Sequence, residues 1–128
     1  MTIKQGYPIK KYAMPTKRYC QTLNLKNNPK LIAEYRKIHS KTEAWPEIRA
    51  GIRLVGILEM EMYISGTQVF MIVETPQDFN WDEAMEKLSH LPRQQEWEDY
   101  VARFQECIAG STSVEKWKLM ERMFYLYE

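Results

Sequence analysis

The chain has 128 residues, a formal net charge of +1 and 27% charged side chains. A single domain of this size buries about two thirds of its unfolded surface and can fold without a metal or a disulfide. A net charge so close to zero gives no electrostatic basis for binding nucleic acid or an anionic membrane. The sequence has no apolar signal segment and no run long enough to span a bilayer, so we expect a cytoplasmic protein.

The sequence also lacks the motifs of metal, nucleophile and phosphate chemistry. His39 and His90 are the only histidines, and neither has a carboxylate at the spacing of a zinc-binding motif. The two cysteines are far apart, no GxSxG occurs, and the five glycines form no phosphate-binding loop. We therefore expect no metal site and no use of a nucleotide, which leaves proton transfer and polar binding by side chains.

The N-terminal region divides into a leader and the start of a folded domain. Residues 1–16 contain one glycine, two prolines and no sustained periodicity, which predicts an extended leader. Residues 17–25 then alternate, contain aromatic and β-branched side chains and end at an Asn-Asn-Pro turn, which favours a strand. We therefore predict one folded domain over residues 17–128.

Two helical segments are predicted after the first strand. Asn28 is suited to an N-cap and Pro29 to the first helical position. Apolar residues then recur at helical spacing as far as His39. A polar insertion interrupts the pattern, and a second helix is predicted over residues 45–54, where a proline again suits the first turn.

A β-hairpin is the most clearly marked element of the sequence. Residues 57–64 and residues 68–74 are two strand-like runs of alternating or continuous apolar side chains. The Ser-Gly-Thr sequence between them supplies a short turn. Two antiparallel strands in the middle of the chain are therefore expected.

The remaining chain predicts two helices and a strand. One helix starts at Trp81 after an asparagine cap, and another ends at Gly110. Residues 111–120 are interpreted as a loop with one helical turn that contains Trp117. Residues 123–127 are rich in aromatic side chains and are predicted to form the last strand.

The order of these elements predicts the fold class. Strand, helix, strand, strand, helix and strand is the split pattern of an α+β, ferredoxin-like antiparallel sheet with helices on one face. The other face of the sheet is then uncovered and carries bulky apolar groups. We expect a second copy of the chain to cover it, giving a homodimer of the dimeric α/β-barrel type.

Tyr35 and His39 are the residues whose chemistry best suits a reaction. They stand four residues apart and therefore share one face of the first helix. An imidazole exchanges protons near neutral pH, and a phenol offers a second hydrogen-bonding group. The Trp45-Pro46-Glu47 sequence places an aromatic wall just beyond them. The pair suits a sugar-binding site, although the same two residues could also serve only as packing residues.

Several spaced motifs together resemble the L-rhamnose mutarotase family. The resemblance spans about residues 17–127 and covers nearly everything except the leader. It rests on Glu34-Tyr35-x-x-x-His39, Trp45-Pro46-Glu47, the strand containing Tyr63, the strand from Phe70 to Glu74, and the helix start from Gln94 to Trp97. Members of this family are small ferredoxin-like dimers that interconvert the α and β anomers of a 6-deoxy-L-sugar without a cofactor or metal.

The resemblance also implies roles for individual residues. His39 matches the catalytic histidine of the family, Tyr35 matches a tyrosine that contacts the sugar, and Trp97 matches one of two adjacent tryptophans in the substrate pocket. Met60 falls where the family has a substrate-contacting tyrosine. The resemblance thus implies a catalytic His39 and a substrate-binding set of Tyr35, Met60 and Trp97.

The sequence departs from the family pattern at positions that touch the pocket. The tryptophan pair is reduced to Glu96-Trp97, a methionine stands at position 60, and the segment between His39 and Trp45 is two residues longer than the common form. The resemblance therefore predicts the reaction better than the sugar, and L-fucose is a candidate beside L-rhamnose. A cofactor-free monooxygenase of the same fold and a non-catalytic ligand-binding module are the alternatives.

Overall fold

The computed structural model describes residues 5–107 and 111–128. No helix in this part of the chain is long and apolar enough to cross a membrane. The helices and strands are, in order, β1 (Thr16–Asn24), α1 (Pro29–Ile38), α2 (Pro46–Leu54), β2 (Glu59–Ser65), β3 (Gln68–Pro76), α3 (Trp81–Ser89), α4 (Gln94–Ala102), α5 (Ser113–Lys116) and β4 (Lys118–Leu119).

The strands form one antiparallel sheet in the order β2-β3-β1-β4. The two central strands pair from Thr16 opposite Pro76 to Asn24 opposite Gln68. The short β4 pairs only with Gln21 and Thr22, at the outer edge of β1. This is the ferredoxin-like arrangement, and the predicted α+β fold class is confirmed.

Local sequence signals fix where the first elements begin and end. The Asn28 side chain accepts hydrogen bonds from the backbone N–H groups of Lys30 at 3.0 Å and Leu31 at 3.3 Å, so it caps α1 as predicted. In the hairpin, Gly66 opens a two-residue turn with a φ of 60°. A positive φ is the conformation that such tight hairpin turns require and that glycine adopts without strain.

One face of the sheet and the helices enclose the core. Along β3, Val69, Met71 and Val73 are buried, while the residues between them are only half-buried. This alternation is the period of two expected of a strand with one covered face. The core cluster joins these side chains to residues of the helices, among them Tyr35 and Trp97.

The opposite face of the sheet carries the leader. The ring centroids of Tyr7 and Tyr63 are 5.7 Å apart in an edge-to-face contact, and the Tyr12 hydroxyl donates a hydrogen bond to the Leu58 carbonyl at 2.9 Å. Phe70 and Ile72 are half-buried on the strand beside them. Residues 5–15 therefore lie across part of the surface that a partner copy was expected to cover.

The prediction of a last strand over residues 123–127 was wrong. The last strand is β4, at Lys118–Leu119, and Phe124 is 71% exposed. High β-propensity stabilises a strand only where its side chains can pack on a neighbouring strand or face. Beyond the hydrogen bond from the Met120 N–H to the Cys20 carbonyl at 2.7 Å, the chain leaves the edge of β1, so its aromatic residues have no such surface.

The helix predicted to end at Gly110 is also shorter than expected, since α4 ends at Ala102. The backbone after it pairs with the chain that leaves β1. The Lys26 N–H donates to the Phe104 carbonyl at 2.9 Å, and Leu25 and Gln105 form an isolated antiparallel bridge. Residues 108–110 lie outside the described part of the chain. Trp117, predicted inside the helical turn, follows α5 and is buried.

Candidate active site

A cavity of about 440 Å³ lies between the helices and the covered face of the sheet. Its volume is within the range of about 300–1,000 Å³ that is typical of small-molecule sites. The side chains singled out from the sequence, Tyr35, His39, Met60 and Trp97, all line it. Helices α1 and α4 and strand β2 supply these residues, so three separate parts of the sequence meet at one site.

Tyr35 and His39 lie against each other on α1. Their ring centroids are 4.5 Å apart, as the spacing of four residues predicts for one helix face. His39 is the C-cap residue of the helix, and its Nδ1 lies 2.7 Å from the Tyr35 backbone carbonyl oxygen. A carbonyl oxygen can only accept, so Nδ1 carries the proton and Nε2 of the neutral ring holds the lone pair.

The environment of His39 favours its neutral form. Burial lowers the pKa of His39 below the ordinary value of 6.5, and the positive charge of Arg49 lowers it further. The hydrogen bond to the Tyr35 carbonyl acts in the opposite direction because it stabilises the imidazolium. At neutral pH the ring is therefore a base whose lone pair is on Nε2.

We expect the His39 imidazole to titrate in the folded protein with a midpoint below 6.5, which NMR of its ring carbons across a pH series measures. The imidazole of the unfolded chain binds a proton more readily than that of the folded protein. The stability contributed by the neutral ring is therefore fully present above about pH 6.5 and is lost as the pH falls through the folded-state pKa. The free energy of unfolding should fall less on acidification in a His39→Gln variant. A midpoint at or above 6.5 would contradict this account.

Tyr35 is a neutral hydrogen-bonding group at physiological pH. Burial raises the pKa of Tyr35 to about 12, and the negative charge of Glu98 adds to the rise, while a hydrogen bond from Gln105 opposes it. That bond runs from Gln105 Nε2 to the phenol oxygen at 3.3 Å. The phenol therefore keeps its own proton and can donate it to a ligand in a hydrogen bond.

Aromatic rings extend this site on the side of α4. The ring centroid of Trp97 lies 5.3 Å from that of His39 and 5.1 Å from that of Trp45. The Arg93 guanidinium lies 3.9 Å above the Trp45 ring and also reaches Glu96 at 3.2 Å. The Trp45 wall predicted from the sequence is thus held against Trp97, and Glu96 forms a surface ion pair instead of a second tryptophan wall.

The sheet side of the cavity is partly apolar. Met60 and Met62 of β2 and Met71 of β3 line it, and all three belong to the covered face of the sheet. Thioether side chains accommodate irregular apolar groups, and the methyl group of a 6-deoxy sugar is one of these. Met60 therefore lies in the cavity wall, at the position where the resemblance implied a hydrogen-bonding tyrosine.

The sequence analysis missed several polar side chains in the cavity wall, Arg49 and Arg53 among them. Gln21, Glu98 and Gln105 line the same cavity as His39. Gln21 did have a signal, because it interrupts the inward-facing set of β1 with a polar residue. Gln105 had none, since only the bridge between Leu25 and Gln105 brings it beneath Tyr35.

The fold and the site define a class of protein. A ferredoxin-like sheet and its helices enclose a cavity with a half-buried imidazole, a phenol and polar acceptors, which suits acid–base chemistry on a small polar ligand. Residues 18–126 match the model of a family described as L-rhamnose mutarotase. The chain belongs to the L-rhamnose mutarotase family and is a sugar mutarotase, an enzyme of the isomerase class.

Two relatives match the chain over most of their length. The chain is 35% identical over 115 residues to an L-fucose mutarotase of Xanthomonas campestris pv. campestris, covering 90% of this chain and 92% of that protein. It is 34% identical over 94 residues to a UPF0734 protein of Dictyostelium discoideum, covering 73% and 74% of the two chains. The similarity therefore extends through the domain and is not confined to a short motif.

Proposed function

We propose that the chain interconverts the α and β anomers of L-fucose or L-rhamnose, with His39 as the proton-transferring residue and Tyr35, Met60 and Trp97 as substrate contacts. The similarity to an L-fucose mutarotase supports L-fucose as the first sugar to test. The family description supports L-rhamnose as the second. Both are 6-deoxy-L-hexoses, so a single site chemistry serves either.

The observation that carries the proposal is the geometry of His39. Its Nδ1 is committed to the Tyr35 carbonyl at 2.7 Å, and its ring lies in the wall of the cavity between Tyr35 and Trp97. The fixed tautomer leaves Nε2 as a base, and the lowered pKa keeps that base unprotonated at neutral pH. A ring held in one orientation and one protonation state is prepared for proton transfer.

The proposed mechanism requires only proton movement. His39 Nε2 takes the proton of the anomeric hydroxyl, the bond between the anomeric carbon and the ring oxygen breaks, and the resulting imidazolium protonates the ring oxygen. The open-chain aldehyde rotates about the bond between its first two carbons. The same steps in reverse then close the ring on the other face of the carbonyl, so the proton returns and His39 is regenerated.

Tyr35 and Trp97 support this step in different ways. The Tyr35 hydroxyl, neutral because the pKa is raised to about 12, donates a hydrogen bond to a sugar oxygen without losing its proton. Trp97 is 8% exposed, and the aromatic surface that it and Trp45 present suits the apolar C–H face of a sugar. A positioned acid or base of this kind contributes about 10²–10⁴-fold to a rate.

Saturation-transfer NMR between the two anomers tests the proposed function. Equilibrated L-fucose and L-rhamnose are each measured with and without the protein, and the exchange rate above the uncatalysed rate is the readout. The proposal expects accelerated exchange for at least one of the two sugars. Exchange at the uncatalysed rate for both sugars would overturn the choice of substrate.

We also propose that the chain forms a homodimer through the face of the sheet opposite the helices, and that it acts in the cytoplasm. The half-buried Phe70 and Ile72 on that face support the dimer, since the N-terminal segment covers only part of the face and apolar sheet faces are usually covered. Ile72→Glu places a carboxylate opposite Glu61 on the neighbouring strand. It should weaken the dimer at least about tenfold, because Lys10 and Arg18 already face three carboxylates there and a fourth would be buried in the interface without a cation of its own.

Analytical ultracentrifugation over a concentration series measures the effect of Ile72→Glu. Lys87→Glu, which changes charge on the exposed side of α3, is the matched control and should leave the dissociation constant unchanged. The dimer proposal fails if the native protein sediments as a monomer at every concentration, or if the two variants associate equally well.

A further inference from the structure

Two glutamine side chains in the cavity wall have oxygens without a hydrogen-bond partner among the described residues. Gln21 is 4% exposed and Gln105 is 2% exposed, and the Oε1 atom of each is unpaired. An unpaired buried acceptor loses its hydrogen bonds to water without replacement, so native proteins rarely leave one without a reason. Because both side chains line the cavity, a ligand with hydroxyl donors would satisfy them.

A carboxylate lies in the same wall and is held from two sides. The Gln94 side-chain amide donates to Glu98 Oε1 at 3.1 Å, and Lys116 Nζ lies 2.9 Å from Glu98 Oε2. The Lys116 ammonium is nearly inaccessible to solvent. Its distance to Glu98 is that of an ion pair, although the two groups are not aligned as a hydrogen bond. Lys116 and Glu98 still attract each other as an ion pair, because Coulomb attraction depends on the separation of the charges and not on the N–H direction.

These groups make one part of the cavity wall rich in acceptors, while Arg49 and Arg53 supply donors elsewhere in the lining. A carboxylate offers about four acceptor sites, and Glu98 uses only part of them on Gln94 and Lys116. Gln21 and Gln105 add two unpaired amide oxygens. The matching ligand is one with several neighbouring O–H donors, and a polyhydroxylated sugar has this chemistry while a flat aromatic substrate does not.

We infer that Glu98 binds the non-anomeric hydroxyl groups of the sugar, that the side-chain oxygens of Gln21 and Gln105 are further hydroxyl acceptors, and that Lys116 is a positioning residue that holds Glu98. This inference rests on the proposed function. L-Fucose and L-rhamnose differ in configuration at C2 and C4, so acceptors for these hydroxyls are where the enzyme distinguishes the two sugars. His39 then performs the proton transfer, and this polar set selects the sugar.

The first test compares Glu98→Gln with Asp99→Asn, a substitution at the next, exposed position of the same helix. Saturation-transfer rates over a range of sugar concentrations separate kcat from KM. Glu98→Gln weakens a hydrogen bond to a charged group, so kcat/KM should fall 10- to 100-fold, mainly because KM rises. The pH dependence of kcat should be unchanged, because His39 still carries the proton, and Asp99→Asn should stay within twofold of the native protein.

The second test removes the hydroxyl instead of the carboxylate. Analogues of the accepted sugar that lack the hydroxyl at C2, C3 or C4 are measured with the native protein and with Glu98→Gln. For the hydroxyl that Glu98 binds, the two losses should not add, since either change removes the same hydrogen bond. Losses that add for every analogue would overturn the inference.

A third variant tests whether the effect of Glu98→Gln comes from misfolding. Glu98→Leu combined with Lys116→Met replaces the ion pair with apolar side chains, a change that is often neutral or stabilising for a buried pair. If this double variant melts as the native protein does and loses affinity like Glu98→Gln, the inference is supported. A native KM in either variant would overturn it while leaving the proposed function intact. A native protein that exchanges neither sugar would overturn both.

Discussion

Replacing His39 with alanine should slow anomer exchange about a hundredfold, because the base that moves the proton between the two hemiacetal oxygens is removed. The effect should fall on kcat more than on KM, since the proposed contacts of Tyr35 and Trp97 with the sugar are kept. Saturation-transfer NMR, corrected for the uncatalysed rate, measures the change. The fold should survive, because the His39 ring packs at the edge of the cavity and not in the centre of the core.

The chain contains its own control for this experiment. His90 is the other histidine, its side chain is 74% exposed, and it pairs with Glu86 on the surface at 2.9 Å. His90→Ala should therefore leave anomer exchange unchanged. If His39→Ala keeps near-native exchange, or if His90→Ala loses as much activity, the proton transfer is carried by another residue.

Phe104→Ala should produce the largest loss of stability, about 3–5 kcal/mol. Phe104 is 1% exposed, and its ring centroid lies 6.0 Å from that of Tyr35 and 5.6 Å from that of Tyr100. Truncation removes the transfer free energy of a whole ring and leaves a cavity that rigid neighbours cannot fill. Since a domain is stabilised by only about 5–15 kcal/mol, this loss is a large share of the total.

Chemical denaturation with urea measures the change in the free energy of unfolding. Phe124→Ala is the matched control, because its ring is 71% exposed and its loss should change stability by less than about 0.5 kcal/mol. A change below about 1 kcal/mol for Phe104→Ala would show that the core collapses around the missing ring more readily than its packing indicates.

The parts of the fold that were predicted from the sequence are those with local causes. Asn28 defines the start of α1 because its side-chain oxygen accepts hydrogen bonds from N–H groups within one turn, and Pro29 has the φ angle of a first helical residue. Gly66 defines the hairpin through its own φ angle. Such signals need no knowledge of the rest of the chain. The strand predicted over residues 123–127 had the right composition, but no neighbouring strand was available to pair with it.

The candidate site divides in the same way. Tyr35 and His39 are four residues apart on one helix, so their contact follows from helix geometry alone. Their meeting with Met60 and Trp97 was implied by the family resemblance and not by spacing. Gln105 reaches Tyr35 only because the chain after α4 pairs with Leu25, a contact between distant parts of the sequence that no local pattern indicates.

The path of the leader has a consequence for handling the protein. Lys10 and Lys11 are exposed on a segment that is tied to the sheet mainly through Tyr7 and Tyr12, so a trypsin-like protease would cut there before it cut the folded domain. Cleavage after Lys11 would remove Pro8, Ile9 and Lys10 from the half-buried side chains of Tyr63 and Ile72. A clipped preparation would then aggregate while its catalytic cavity, on the far side of the sheet, stayed intact.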